Sequence, residues 1–195
     1  VPISEDDLAL LSMSDDEIAI KNSNFSFDFD EMHKRMFSGD RSYQLIQAHL
    51  YCEHIVLQMV REALPFPEEI SVDRMGFAQR FQLVMALGLI DKKLAAPIKM
   101  INKLRNKVAH DLTFSVSEAD AKSLFDCTPS DLIEAVLDMP SRCGNAASFE
   151  DLLFVVVVKF DIVRQQHVVQ RVLGRKSQIH LRDALNKAYP LIKNA

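Results

Sequence analysis

The sequence predicts an all-α fold, an antiparallel helical bundle with an acidic N-terminal arm. Three observations predict it. From Arg41 to Leu64 neither proline nor glycine interrupts the chain. Ile98, Ile101, Leu104 and Val108 recur at spacings of three, three and four, which puts them on one helical face. Five glycines and seven prolines in 195 residues are too few for a turn-rich β-sandwich, tryptophan is absent, and eight methionines favour helices.

Taken in order, Ser4 and Ser14 precede acid-rich first turns and predict the N-caps of two short helices. Phe25, Phe27 and Phe29 alternate with polar residues and read as an extended strap laying rings on a core or on a second subunit. A short helix starts at Asp28 or Asp30 and ends near Ser38-Gly39. The arm thus spans residues 1–38 and the bundle residues 39–195. In the first long helix Leu45, Ile46, Leu50, Ile55, Leu57 and Val60 supply a broad apolar face. Pro65-Phe66-Pro67 ends it, because a residue before proline is pushed out of the helical region. A loop to Met75-Gly76 leads into a helix over 77–87, with Gly88 near its end. Asp91 caps the next segment, with Pro97 in its first turn or near its start. Leu112-Thr113-Phe114-Ser115-Val116 is a short extended connection. Ser117-Glu118-Ala119-Asp120 and Thr128-Pro129-Ser130-Asp131 read as two further capped starts. Ser141–Ser148 is the most loop-like stretch. Residues 149–173 form a long helix despite their valines, since strands seldom run so far without a turn signal. It serves as a core or a dimerisation helix, and a last helix spans 177–189.

The net charge of −4 makes no global case for nucleic-acid binding, but the charge is unevenly spread. Residues 1–32 hold nine acids against Lys21 alone, and residues 91–110 hold six cations against Asp91 alone. The asymmetry suggests that the arm shields the basic helix or mimics nucleic acid. Cys52, Cys127 and Cys143 are odd in number and form no C-x-x-C pair, so neither a zinc ribbon nor a disulfide framework is indicated. The apolar run 152–158 stops at Lys159, too short to span a bilayer, and no signal-like segment opens the sequence. The expectation is a cytoplasmic protein without a membrane segment, metal or cofactor.

The stretch INKLRNKVAHDL, residues 101–112, carries the chemistry. Arg105 and His110 are five apart, about 140° on a regular helix, whereas Asn106 and His110 are four apart and share a face. Fraying after Ala109 would let His110 swing back towards Arg105, with Asn106 fixing the imidazole tautomer. Such a trio suits metal-independent RNA cleavage. His110 would move the proton, Arg105 would hold the phosphate, and Lys99, Lys103 and Lys107 would attract the polyanion. The plain alternative is a helix C-terminus whose cations complement the macrodipole. Arg175 and His180 repeat the spacing, so spacing alone is weak. Asn106, the apolar stripe leading in and the cation cluster set the first copy apart.

LRNKVAHD, residues 104–111, resembles the signature of the HEPN superfamily of small all-α domains: an arginine, a polar residue such as asparagine, and a histidine a few residues on. FAQRFQLVMALGLI, residues 77–90, is similar to the helix before that motif in the mannitol operon repressor family, and Phe114-Ser115-Val116-Ser117 fits the connection after it. The resemblance covers residues 41–125. It implies two functions. Active HEPN proteins are metal-independent endoribonucleases, usually dimers with two facing motifs, which would make Arg105 and His110 catalytic and Asn106 their support. The repressor-like branch is associated with transcriptional regulation and need not cleave RNA. The implied partners are RNA, a second copy, and a cognate antitoxin or regulatory protein.

His49, Cys52 and Glu53 lie near one face of the first long helix, but no second ligand cluster supports a metal site. Cys52 suits the core. Glu53 is expected to pair with Arg105, to orient His110, or to form a plain ion pair at the core edge. No phosphate-cradling glycine loop, G-x-S-x-G or H-E-x-x-H occurs, and residues 77–110 present no row of base-reading side chains.

Overall fold

The computed structural model describes residues 4–111, 113–138 and 147–188. Cys143, Tyr189 and most of the loop expected over 141–148 lie outside them. Among the described residues the chain is helical throughout, with no strand. The elements are α1 (Glu5–Ser12), α2 (Asp15–Asn22), α3 (Phe29–Met36), α4 (Arg41–Ala63), α5 (Phe77–Ala86), α6 (Lys92–His110), α7 (Glu118–Cys127), α8 (Ser130–Leu137) and α9 (Phe149–Ala188). Two 3₁₀ turns, Pro67–Glu69 and Val72–Arg74, fill the loop before α5.

The starts follow the sequence closely. Ser4, Ser14, Asp28, Asp40, Asp91 and Ser117 each accept a backbone N–H of the first turn, and such a cap is worth about 1 kcal/mol. Thr128 differs: its hydroxyl donates back to Leu124 O (2.8 Å), so it closes α7 instead of opening α8. After α5, Gly88 adopts φ 68°, Gly88 N–H donates to Met85 O (3.1 Å) and Leu89 N–H to Val84 O (3.0 Å). This paired closure needs a left-handed residue, which glycine supplies without strain. Pro97 lies inside α6, in its second turn, where it removes the N–H that would have donated to Lys93.

One boundary differs from expectation. Residues 149–173 and 177–189 were expected as two helices, but α9 runs unbroken from Phe149 to Ala188. Gly174 costs about 1 kcal/mol in a helix and does not end one by itself. Ser177, a plausible cap by composition, instead bonds back within the helix to Leu173 O (3.0 Å).

The chain forms two compact units, residues 25–164 and residues 1–24 with 165–195. The aromatic strap and α3, expected as part of the arm, fall in the larger unit, where the bundle holds them. Phe27 packs edge-on to Tyr51 (5.0 Å between centroids) and Phe29 to Phe154 (5.9 Å), with Phe25 against both phenylalanines. The Ser26 hydroxyl donates to Asp161 Oδ1 (2.7 Å) and its N–H to Oδ2 (3.2 Å), while His54 Nε2–H donates to Ser26 O (2.8 Å). Asp161 is fully buried, yet Arg164 neutralises it at 2.7 Å and reaches Glu62 at 2.7 Å. A buried charge persists only when paired in this way.

In the larger unit α4 is the central element. Leu45, Ala48, Cys52, Ile55, Val56, Met59 and Val60 are buried, whereas Leu50, expected on the same face, is exposed. Burial pushes the Cys52 thiol up to about 12, as suits a core residue. Leu94, Ile98, Ile101 and Leu104 of α6 pack into this core, each worth about 1.5–3 kcal/mol. Arg41 at the start of α4 pairs with Glu118 at the start of α7 (2.7 Å), so α6, which ends just before α7, runs back against α4.

Candidate functional site

Helix α6 is the platform for the motif, and it stays regular to its end. Asp111 N–H donates to Lys107 O (3.0 Å), closing the last turn through His110. Asp111 then stops the helix: its carboxylate accepts from the N–H (2.9 Å) and hydroxyl (2.7 Å) of Thr113. These bonds, the hydroxyl first, hold the Asp111 carboxyl below its ordinary value. The fraying that would bring His110 round to Arg105 does not occur. About 140° therefore separates the two side chains around α6.

Each side of α6 has its own character. Arg105 is half-buried on the side facing α4, beside His49 and Asn102. His110 is exposed. Asn106 Oδ1 accepts from Arg105 Nη1–H (3.3 Å), and among the described residues Asn106 makes no bond to His110. The asparagine therefore steadies the arginine.

Around Arg105 lies a buried polar cluster that sequence spacing did not reveal. His49 is 2% exposed, and its Nε2–H donates to Asn102 Oδ1 (3.0 Å). The His49 ring packs against Phe77 (4.9 Å), and Nδ1 is buried without a hydrogen-bond partner. Burial pushes the imidazole below its ordinary value; the Asn102 bond opposes this, the Arg105 charge adds to it and Glu53 opposes it. Glu53 pairs with Arg80 of α5 (2.7 Å) and not with Arg105 or His110. Arg80 is 6% exposed, with its Nε buried and unpaired. Of the readings offered for Glu53, the ion pair at the core edge is the one observed. Asn102 and Arg80 were not singled out in the sequence. The one available signal was a polar residue on the apolar flank of each amphipathic helix.

The three lysines divide. Lys107 Nζ donates to Asp120 Oδ1 (3.1 Å) and lies 5.3 Å from the centre of the Phe114 ring, so it ties α6 to α7. Lys99 and Lys103 are exposed and make no ion pair among the described residues. With Lys92 and His110 they fall within about 40° of one line along the solvent side of α6. What the arrangement can do chemically is offer a row of donors to an extended anion, backed by a helix fixed in the core.

Among the described residues no group of three or more His, Cys, Asp or Glu side chains is placed to hold a metal ion. Nor is any helix among them long and apolar enough to cross a membrane. A cavity of about 550 Å³, lined by Arg41, Glu118, Phe125, Leu137 and Phe149 among others, shares no residue with the motif. No family model, curated protein or solved structure matches the chain.

Proposed function

We propose that this protein is a HEPN-like regulatory module of the mannitol operon repressor kind, which engages RNA through the solvent side of α6 and does not cleave it. One observation carries this reading, the divergence of Arg105 and His110 on a single regular helix. A general acid or base must reach the proton it moves at about 3 Å, and the guanidinium must hold the same phosphate. Side chains about 140° apart do not serve one scissile bond within one copy. Arg105 then acts as an anchor beside His49 and Asn106, while Lys92, Lys99, Lys103 and His110 meet the partner. A second copy and a regulatory protein are the other partners this reading expects, in the cytoplasm.

The second reading is a metal-independent endoribonuclease, in which the Arg105 and His110 of two copies combine across a dimer interface. The exposure of His110, without a hydrogen bond among the described residues, favours it. One assay separates the two. Labelled RNA is incubated in EDTA with the native protein, His110→Ala and Arg105→Ala. The regulatory reading expects equal background in all three, together with salt-sensitive RNA binding that weakens in Lys99→Ala/Lys103→Ala. EDTA-resistant cleavage lost in both variants establishes the nuclease instead.

A further inference from the structure

In the smaller unit one carboxylate grips two arginines. Arg175 Nη2–H donates to Asp7 Oδ1 (2.9 Å), and Arg182 Nη2–H donates to Asp7 Oδ2 (3.2 Å). The arginines are two turns apart, about 10.5 Å along α9, and fall nearly in line. Arg171, exposed, lies one turn earlier on the same line. The Asp7 side chain is 11% exposed, whereas that of Arg175 is 61% open to solvent. The arm is held on either side of this grip. Lys176 Nζ donates to Asp15 Oδ1 (2.7 Å) and Met13 O (2.7 Å), and Ile18 and Ile179 are buried. The Arg175 bond above all holds the Asp7 carboxyl below its ordinary value, against the opposing effect of burial.

The carboxylate leaves the pair of arginines under-satisfied. Arg182 Nε is buried and has no hydrogen-bond partner, and both oxygens of Asp7 are already engaged. A phosphodiester shares one negative charge over two non-bridging oxygens, the same kind of oxyanion pair as a carboxylate, so it can take the guanidinium donors that Asp7 holds. Three arginines in line over about 16 Å suit a repeating anion better than a single one.

We propose that Arg175 and Arg182, extended by Arg171, form a second RNA-backbone site, and that Asp7 occupies it as an intramolecular competitor, making the acidic arm autoinhibitory. The chemistry is exchange of one oxyanion for another on the same guanidinium donors, with no bond made or broken. The site lies outside the α6 stripe and does not depend on the α6 reading being right.

Fluorescence anisotropy of a labelled single-stranded RNA, with the full chain, tests it. Asp7→Asn keeps the shape and removes the charge, and is expected to tighten binding at least tenfold. That gain should disappear on adding Arg175→Ala/Arg182→Ala and survive adding Lys99→Ala/Lys103→Ala, so that failure of the α6 reading and failure of this one look different. Asp6→Asn, an exposed acid next door, should change nothing. Ser4→Ala/Ser14→Ala loosens both arm helices with Asp7 intact, and should tighten binding in the same direction should Asp7→Asn fail to fold. The proposal is overturned by unchanged affinity in a folded Asp7→Asn protein and in the double cap variant. A gain that persists without both arginines overturns it too, as does a gain on phosphatidylserine vesicles with none on RNA.

Discussion

Two stretches of this protein share one spacing, Arg105 to His110 and Arg175 to His180, and they have come to different ends. Both lie on uninterrupted helices, so in each the arginine and histidine diverge around the axis by the same angle. Their surroundings differ. Arg105 sits half-buried beside a histidine whose pKa burial lowers, with Asn106 as its partner. Arg175 stands 61% open and spends a donor on the acidic arm. Spacing along a helix fixes an angle, and the neighbouring elements decide what the side chain at that angle does. The first stretch is anchored in a core; the second is held by a charge that can be exchanged.

The contrast breaks most visibly at the buried polar cluster near Arg105. Arg80→Ala leaves Glu53 without its cation and should cost about 3 kcal/mol in urea unfolding, the low end for a buried pair because Glu53 is one-third open. A cost near zero would mean that the cluster is a surface ion pair in disguise. A smaller effect is expected from pH. The folded pKa of His49 is depressed, so the unfolded chain takes up this proton first. The His49 contribution is flat above about pH 6.5, and stability falls as pH drops from there towards the folded value. His49→Gln should reduce that slope, read from urea midpoints between about pH 7.5 and pH 5. The smallest effect belongs to the second stretch. His180→Ala, at an exposed position, should shift stability by less than about 0.5 kcal/mol. A larger loss would mean that the two copies of the spacing are more alike than their surroundings suggest.

Much of the fold was legible because helix starts are local. An aspartate or serine before an apolar-periodic run carries its own hydrogen-bond partner within three residues, and Ser14, Asp91 and Ser117 act as their positions suggest. What failed to read was the join at residues 173–177, where Gly174 and Ser177 had the composition of a break but bond as helix interior. The platform of the candidate site was legible for the same local reason. Its partners were not, since Asn102 meets His49 across 53 residues and Arg80 meets Glu53 across 27. Such pairings depend on which faces pack together, and periodicity says only that a face exists. The acidic arm is intermediate. Its charge imbalance was plain, but the cations that Asp7 and Asp15 meet, Arg175, Lys176 and Arg182, lie more than 150 residues away.

The strap residue Ser26 bonds to Asp161, 135 residues later in the chain. A ribosome emits the amino terminus first, at roughly 5–20 residues per second. The ring of Phe29 and the polar groups of Ser26 therefore wait on the order of ten seconds for Phe154 and Asp161 to be made. During that interval a phenylalanine-rich ribbon is exposed on the nascent chain, a target for chaperone capture or for premature pairing between neighbouring chains. Slow translation through residues 30–160 lengthens that exposure, a burden the fold places on its own synthesis.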